Sequence, residues 1–335
     1  MGHTLRTIDA HVGGQVLRLV VEGLPTPVGG SMRRRQQWMA DHADAWLAAL
    51  AREPRGHEGV TVGCFTVTDL PGAHAGVLFR HGDGYADLCG HGLIGAVTIG
   101  VERGLLFDRD ASGGERTVML DTVSGRLTAR ARLGAGGGVE GVTLALPPAA
   151  ILSAGAVCDI PGRPVRADIA WCGGPHAIVD AESAGLVLDA TGLDQIRRAG
   201  RAIVDSLAGS PLLTHPVDGR RPGVEAVVFT GPPRAADAHL LSATVYPDGA
   251  VDRSPGGTAT AAVLAVLDAM GLVLDDQPFI QESLIGSRFT ARVAARLDVA
   301  GQPAIAPEID GTAWITGEHT FHVADADPFA EGFRL

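Results

Sequence analysis

Two stretches of this sequence read as helices with no polar face, and few folds can hold such a helix. One starts at Gly90-His91-Gly92 and runs through LIGAVTIGVERG to residue 104; the other follows the turn Ser254-Pro255-Gly256-Gly257 and runs from Thr258 through an Ala- and Leu-rich segment to residue 271. A surface helix keeps a polar stripe at a period of 3.6 residues, whereas one that is apolar all round must be enclosed. These two lie in different halves of a 335-residue chain, a length that suggests two domains. Each half therefore has to build an enclosure for its own helix.

The material for the enclosure is strand-like. Residues 4–10, 15–22, 60–68, 75–80, 117–120, 125–132 and 141–146 carry strand patterns in the first half. Residues 164–171, 176–180, 224–230 and 239–247 do so in the second, with an amphipathic helix expected at about 192–206. Residues 33–51 read as one amphipathic helix closed before Glu53-Pro54. The 46 glycines and 20 prolines are spread along the chain, as punctuation of many short strands. The run GAGGGVEG at 134–141 lies between two strand patterns with no helix after it, so it reads as a hairpin turn and not as a dinucleotide loop. The boundary is expected near Pro147–Gly155, giving a first domain over 1–150, completed by 320–335, and a second over 151–319.

Charge and cysteine usage narrow the function classes. A formal net charge of −11 argues against nucleic acid or an anionic membrane as partner, because both reward clustered Lys and Arg. The one basic run, Arg33–Arg35, is short. No run of 18 apolar residues exists, and the N-terminus lacks the apolar core of a signal peptide. Four cysteines (Cys64, Cys89, Cys158, Cys172) without zinc spacing point to a reducing cytoplasm and to thiols rather than disulfides. His319 and His322 fall three apart on an expected strand, which makes them a poor metal pair.

Chemistry concentrates where the two apolar helices begin. A helix N-terminus presents unpaired backbone N–H groups and about half a positive charge. A cysteine just before it, here Cys89, has its thiol acidified. The amides of Gly90 and His91, and of Gly257 and Thr258, are then candidate binders of a carboxylate.

The segments that surround these positions resemble a known family. DLCGHGLIGAVTIGVERG (87–104) is similar to the first catalytic motif of the proline racemase superfamily, which includes proline racemases, hydroxyproline epimerases and trans-3-hydroxyproline dehydratases; DRSPGGTAT (252–260) is similar to its second. IDAHVGGQVLRLVVEGLP (8–25), AREPRGH (51–57), AGVLFRHGDGY (75–85), DIAWCGG (168–174), QESLIGSRFTARV (281–293) and residues 303–333 follow in the family's order. The resemblance implies an α/β fold of two similar halves, each a curved sheet around a central helix in the manner of diaminopimelate epimerase, with the active site in the cleft between them. It implies catalysis without pyridoxal phosphate or metal, on a small proline-like substrate, and is compatible with a homodimer.

Racemases and epimerases of this kind flank the substrate Cα with two acid/base residues. Here the first is Cys89, and the second position, cysteine in DRSPCGTGT and threonine in the dehydratases' DRSPTG, is Gly256. Ala259 in place of the motif's later glycine, and Cys172 in a usual glycine position, are smaller departures. Glycine has no proton to give, so the sequence leans to a dehydratase, which needs one base: Cys89 removes the Cα proton of a 3-hydroxyproline and the β-hydroxyl leaves. The alternatives are a racemase or 4-hydroxyproline epimerase with water or Cys172 as second acid, and a non-catalytic amino-acid-binding descendant. Asp252 is carried over as the group that binds the substrate nitrogen, and His57 as a loop residue contacting substrate. His215, before Pro216, is a weaker candidate of the same sort. Cysteine at 256 is expected to restore inversion at Cα.

Overall fold

The computed structural model describes residues 2–82, 84–107, 114–215, 217–274 and 277–334. Pro216, named above, lies outside the described residues. The chain divides into two compact units, Met1–Leu144 with Gly311–Leu335, and Ala145–Asp310.

The first unit begins with an antiparallel hairpin, β1 (His3–Val12) and β2 (Gln15–Glu22). Helices α1 (Met32–His42) and α2 (Asp44–Ala51) follow, then β3 (Thr61–Thr66), β4 (Ala75–Arg80) and the short β5 (Tyr85–Ala86). After α3 (Gly90–Glu102) come β6 (Gly114–Thr122), β7 (Gly125–Leu133) and β8 (Val139–Ala145). β2 runs parallel to β3 and β4 parallel to β6, while β3–β4 and β6–β7 are antiparallel. The C-terminal strand Ala313–Val323 returns to pair antiparallel with β1. GAGGGVEG forms the turn between β7 and β8, with the Gly134 N–H donating to the Gly138 carbonyl at 2.9 Å.

α3 is the helix around which this sheet curves. Every residue from Gly90 to Gly100 is buried, against β1, β2, β3, β7 and the C-terminal strand. Glycine inside a helix costs about 1 kcal/mol relative to alanine, and the packing explains why it is retained. A Cβ at Gly95 would lie 2.7 Å from Leu17 of β2, so the helix and strand approach closer than any side chain allows.

α1 and α2 form an outer layer, where Met32, Met39, Leu47 and Leu50 pack on Val62 and Leu78. The sequence predicts one helix over 33–51; the structure has two, because Ala43 leaves helical dihedrals at φ −134°. The chain restarts at Asp44, whose carboxylate accepts from Arg80 Nε at 2.7 Å. That hydrogen bond holds the Asp44 carboxyl below its ordinary range, and the tie to β4 sets where α2 begins.

The second unit repeats the plan: hairpin β10 (Arg163–Cys172) and β11 (Gly174–Asp180), outer helix α4 (Leu193–Ser206), then β12 (Ala226–Gly231) and β13 (Leu240–Val245). The enclosed helix α5 (Gly257–Ala269) follows, then β14 (Phe279–Ser283), β15 (Arg288–Val299) and β16 (Gln302–Gly311), with β9 (Ala149–Ile160) preceding the hairpin. β11∥β12 and β13∥β14 match β2∥β3 and β4∥β6. Here the sheet closes on itself through Ala304↔Ala150 and Ile305↔Ala149, around an α5 packed on β9, β10, β11 and β15. α4 turns Ile196, Ala199, Gly200 and Ile203 inward. The fold is α/β, strand-rich, with two similar halves.

One buried ion pair pins the first hairpin. Arg18 of β2 donates through Nε and Nη2 to Asp9 of β1 at 2.9 and 2.8 Å, and through Nη1 to the carbonyls of Leu50 and Arg55 at 2.9 and 2.7 Å. Arg18→Met leaves a buried carboxylate and two carbonyls without this partner, so it should cost about 3–5 kcal/mol in urea unfolding, with Arg18→Lys recovering only part. A loss under 1 kcal/mol on the same measurement would refute that role.

Candidate functional site

Cys89 is the N-cap of α3, with extended dihedrals (φ −139°, ψ 103°) and no side-chain capping bond. Its carbonyl accepts the first helical bond from Leu93 N–H at 2.9 Å, so the amides of Gly90 and His91 lie in the unpaired first turn. The residue is only 4% exposed. Gly92, at the third helical position, explains how a thiol fits there: a Cβ on Gly92 would lie 2.9 Å from Cys89 Sγ and 2.7 Å from the Phe79 ring.

The His91 ring lies against the sulfur, with Nδ1 3.6 Å and Nε2 3.7 Å from Sγ. Its Nε2 is 3.0 Å from Thr61 Oγ1, and that hydroxyl is 3.1 Å from His81 Nδ1. Burial pushes the His91 imidazole down to about 4, so it is neutral at physiological pH. Neither Thr61 nor His81 stands out in the sequence; the one signal is that His81 directly follows the 75–80 strand run inside a family-like segment.

In the second unit the DRSPGG turn is held from several sides. Asp252, 2% exposed, accepts from Ser254 N–H and Ser254 Oγ, each at 2.8 Å, and from the Tyr246 hydroxyl at 2.7 Å. The first of these is an Asx turn. Thr244 Oγ1 and Gln281 Nε2 both donate to the Pro255 carbonyl at 3.3 Å. Gly256 is the N-cap of α5, its φ is +82°, and its carbonyl accepts from Thr260 N–H at 2.9 Å.

The first turn of α5 carries a pair that sequence reasoning passed over. The partly exposed Thr258 places Oγ1 3.2 Å from Nε2 of His176, a fully enclosed ring on β11 whose Nδ1 is 2.9 Å from the Gly174 carbonyl. The second contact assigns the proton to Nδ1, so Nε2 accepts from Thr258. Burial moves His176 down to about 4. A lone histidine in an apolar strand pattern gave no sign of this.

The two N-caps differ by an exchange of volume. In the first unit the cap carries a thiol and the third helical residue is glycine; in the second the cap is glycine and the third residue is Ala259. A Cβ at Gly256 would lie 2.9 Å from the Ala259 methyl, with Asp252 Oδ2 at 3.5 Å and Thr244 Oγ1 at 3.6 Å. The expectation that cysteine at position 256 brings inversion at Cα thus meets two obstacles, the left-handed backbone and the methyl.

Other candidates are less close to the chemistry. The exposed His57 ring is 2.8 Å from the carbonyl of its neighbour Glu58. His215 packs its ring against Trp171 and pairs with Asp218 at 2.8 Å. Cys172 is completely buried and its thiol lies 3.8 Å from the Pro147 carbonyl, with burial raising it to about 12. Cys64 is likewise raised to about 12. Among the described residues no group of three His, Cys, Asp or Glu side chains is disposed to hold a metal, and no helix is long and apolar enough to cross a membrane.

Comparison with known proteins agrees with this arrangement of motifs. The family model described as proline racemase matches residues 7–334. The chain belongs to the proline racemase family. It is 34% identical to a trans-3-hydroxy-L-proline dehydratase of Bacillus cereus over 98% of this chain and 97% of that one. It is equally 34% identical to a 4-hydroxyproline 2-epimerase of Streptosporangium roseum, over 98% and 97%. A hydroxyproline epimerase of Agrobacterium vitis, solved with bound trans-4-hydroxy-L-proline, superposes with a TM-score of 0.90 at 27% identity, over 99% of this chain and 95% of that one. This member of the proline racemase family is therefore an enzyme of the lyase or isomerase kind.

Two predictions arise from the helix ends. His91 and His176 titrate near 6.5 when unfolded and near 4 when folded, so between those values the unfolded chain binds more protons. The stability they contribute, about 3 kcal/mol each, is present above pH 6.5 and is lost as pH falls toward 4. Urea midpoints from pH 7 to 4.5 should fall less steeply for His91→Gln than for wild type, and parallel curves would count against it. Gly256→Cys should lose about 2–4 kcal/mol from backbone strain and overpacking, with no gain in Cα inversion. Gly256→Cys/Ala259→Gly should regain the packing share, so equal melting temperatures for the two variants would show that the methyl is not the obstacle.

Proposed function

We propose that this enzyme dehydrates a 3-hydroxyproline, of the trans-3-hydroxy-L-proline type, with Cys89 as its base. What carries the reading is the contrast between the two caps: Cys89 has a thiol that the glycine at 92 accommodates, whereas Gly256 has no side chain and a backbone and neighbour that refuse one. Relatives with dehydratase and epimerase names stand at the same 34% identity, so names do not separate the reactions. The side chains at the caps support elimination. Inversion at Cα requires a proton to be returned to the opposite face; elimination requires only that one be taken.

The Cys89 thiolate removes the Cα proton, and the electron pair left at Cα expels hydroxide from Cβ as the C–O bond breaks. The product is an enamine, which tautomerises to the cyclic imine by losing the N–H proton and gaining one at Cβ. The first-turn amides of Gly90 and His91 on α3 suit the substrate carboxylate and the charge that grows on it at the transition state, and by the family resemblance Gly257 and Thr258 of α5 are candidates for the same role. Asp252 takes the ring nitrogen in this scheme, and its buried carboxylate is already oriented by Tyr246 and Ser254. His57, exposed on its loop, is the remaining candidate for a substrate contact.

One observation favours a second reading. The Thr258–His176 pair sets a hydroxyl and an imidazole at the first turn of α5, and a proton-bearing group there suits an epimerase or racemase.

Cys89→Ala should remain folded by circular dichroism and lose about a thousandfold in turnover of trans-3-hydroxy-L-proline. In deuterated water the unmodified enzyme should lose water from that substrate and invert proline and 4-hydroxyproline slowly or not at all. Rapid inversion with no dehydration of any 3-hydroxyproline would transfer the assignment to the isomerase.

A further inference from the structure

We infer that Cys89 acts twice in each turnover: its thiolate takes the Cα proton, and the resulting thiol gives that same proton to the departing Cβ hydroxyl. This step rests on the reading of Cys89 as the base of a dehydratase. Hydroxide is a poor leaving group, so the oxygen needs a proton as its bond to Cβ breaks. An enzyme with one thiol at its disposal must also recover the thiolate before the next substrate arrives.

Neither helix end offers the proton from another group. At the start of α5, Gly256 has no side chain. Thr258 turns its one hydroxyl proton to Nε2 of His176, whose Nδ1–H is held by the Gly174 carbonyl. Asp252 accepts from Ser254 N–H, Ser254 Oγ and the Tyr246 hydroxyl, so it is placed as an acceptor and not as an acid. At the start of α3, burial moves His91 down to about 4, and the neutral imidazole that results has little tendency to give up its N–H.

The surroundings of the sulfur favour holding the proton there until the oxygen takes it. Cys89 is only 4% exposed. The two His91 nitrogens are 3.6 and 3.7 Å from Sγ, so the sulfur lies on the lone-pair axis of neither, and the ring is not aligned to draw the proton away. The stereochemistry of the substrate completes the match. In trans-3-hydroxy-L-proline the hydroxyl is on the ring face opposite the carboxylate, which is the face that carries the Cα hydrogen. A sulfur that approaches this hydrogen is therefore on the same side of the ring as the hydroxyl of the adjacent carbon.

The bonds balance. Cα–H breaks as S–H forms, and the electron pair left at Cα becomes the Cα–Cβ double bond as Cβ–O breaks. S–H then breaks as the new O–H forms, so the oxygen departs as water. Cys89 is again a thiolate, and the enzyme has neither gained nor lost a proton.

The test is which face the leaving group must occupy, with the unmodified enzyme throughout. Cis-3-hydroxy-L-proline presents the same Cα hydrogen but carries its hydroxyl on the other face. It should bind as a competitive inhibitor with a Ki within about tenfold of the KM for the trans isomer, yet lose water about a thousandfold more slowly. Chloride needs no proton to leave, so cis- and trans-3-chloro-L-proline should release it at rates within about tenfold of each other. Similar rates of water loss from both hydroxyprolines would reveal a separate acid and overturn the double role, with the dehydratase assignment intact. The same preference for the trans face with chlorine as with hydroxyl would overturn it too, since the face would then govern fit and not protonation. If both chloroprolines lose chloride and neither hydroxyproline loses water, Cys89 is a base alone, and the double role and the dehydratase assignment fall together.

Discussion

Each half of this protein is organised by a helix that has no face to offer to water. Residues 90–100 of α3 are buried without interruption, and so is nearly all of α5 up to Val266. An apolar cylinder of that kind is stable only when strands surround it, and strands of 2–12 residues are what the two halves supply. The glycines of α3 belong to the same constraint, since Gly95 lets Leu17 of β2 approach closer than a methyl group permits.

Enclosing the helix also buries its beginning. The orphan amides of the first turn, the cap residue and the groups beside it then sit where burial dominates ionisation. His91 and His176 are each pushed down to about 4, with burial as the largest cause. The two imidazoles, which would be partly charged in water, are thereby held neutral beside helix ends that favour negative charge. A ready-made anion site at α3 is thus combined with a sulfur whose nearest ring neighbour is neutral.

The third helical position decides what the cap may be. Glycine at 92 opens the space that the Cys89 sulfur fills, and alanine at 259 fills the corresponding space in the other unit, where the cap is glycine with φ +82°. One methyl group, moved from one side of a contact to the other, is enough to distinguish a helix end that bears a thiol from one that bears none.

Much of this was legible in the residues themselves. The two apolar helices, most strands up to residue 247, the turn at 134–138 and the cap position of Cys89 follow from periodicity and turn chemistry, which are local. The break at Ala43 was not legible, because it depends on Arg80, a partner 36 positions from Asp44. Nor was the Gly256–Ala259 exclusion: the sequence displayed both departures, and their coupling is a distance of 2.9 Å that exists only once the turn has its left-handed cap. Thr61, His81 and His176 carry no pattern of their own, since what they do depends on which side chains the sheets bring within hydrogen-bond reach. The sequence alone determined the class of fold, the family and the thiol at the head of α3, because these rest on short-range order along the chain. Which groups surround that thiol, and which are refused at the other helix, only tertiary packing decided, because burial and contact are properties of residues far apart in the chain.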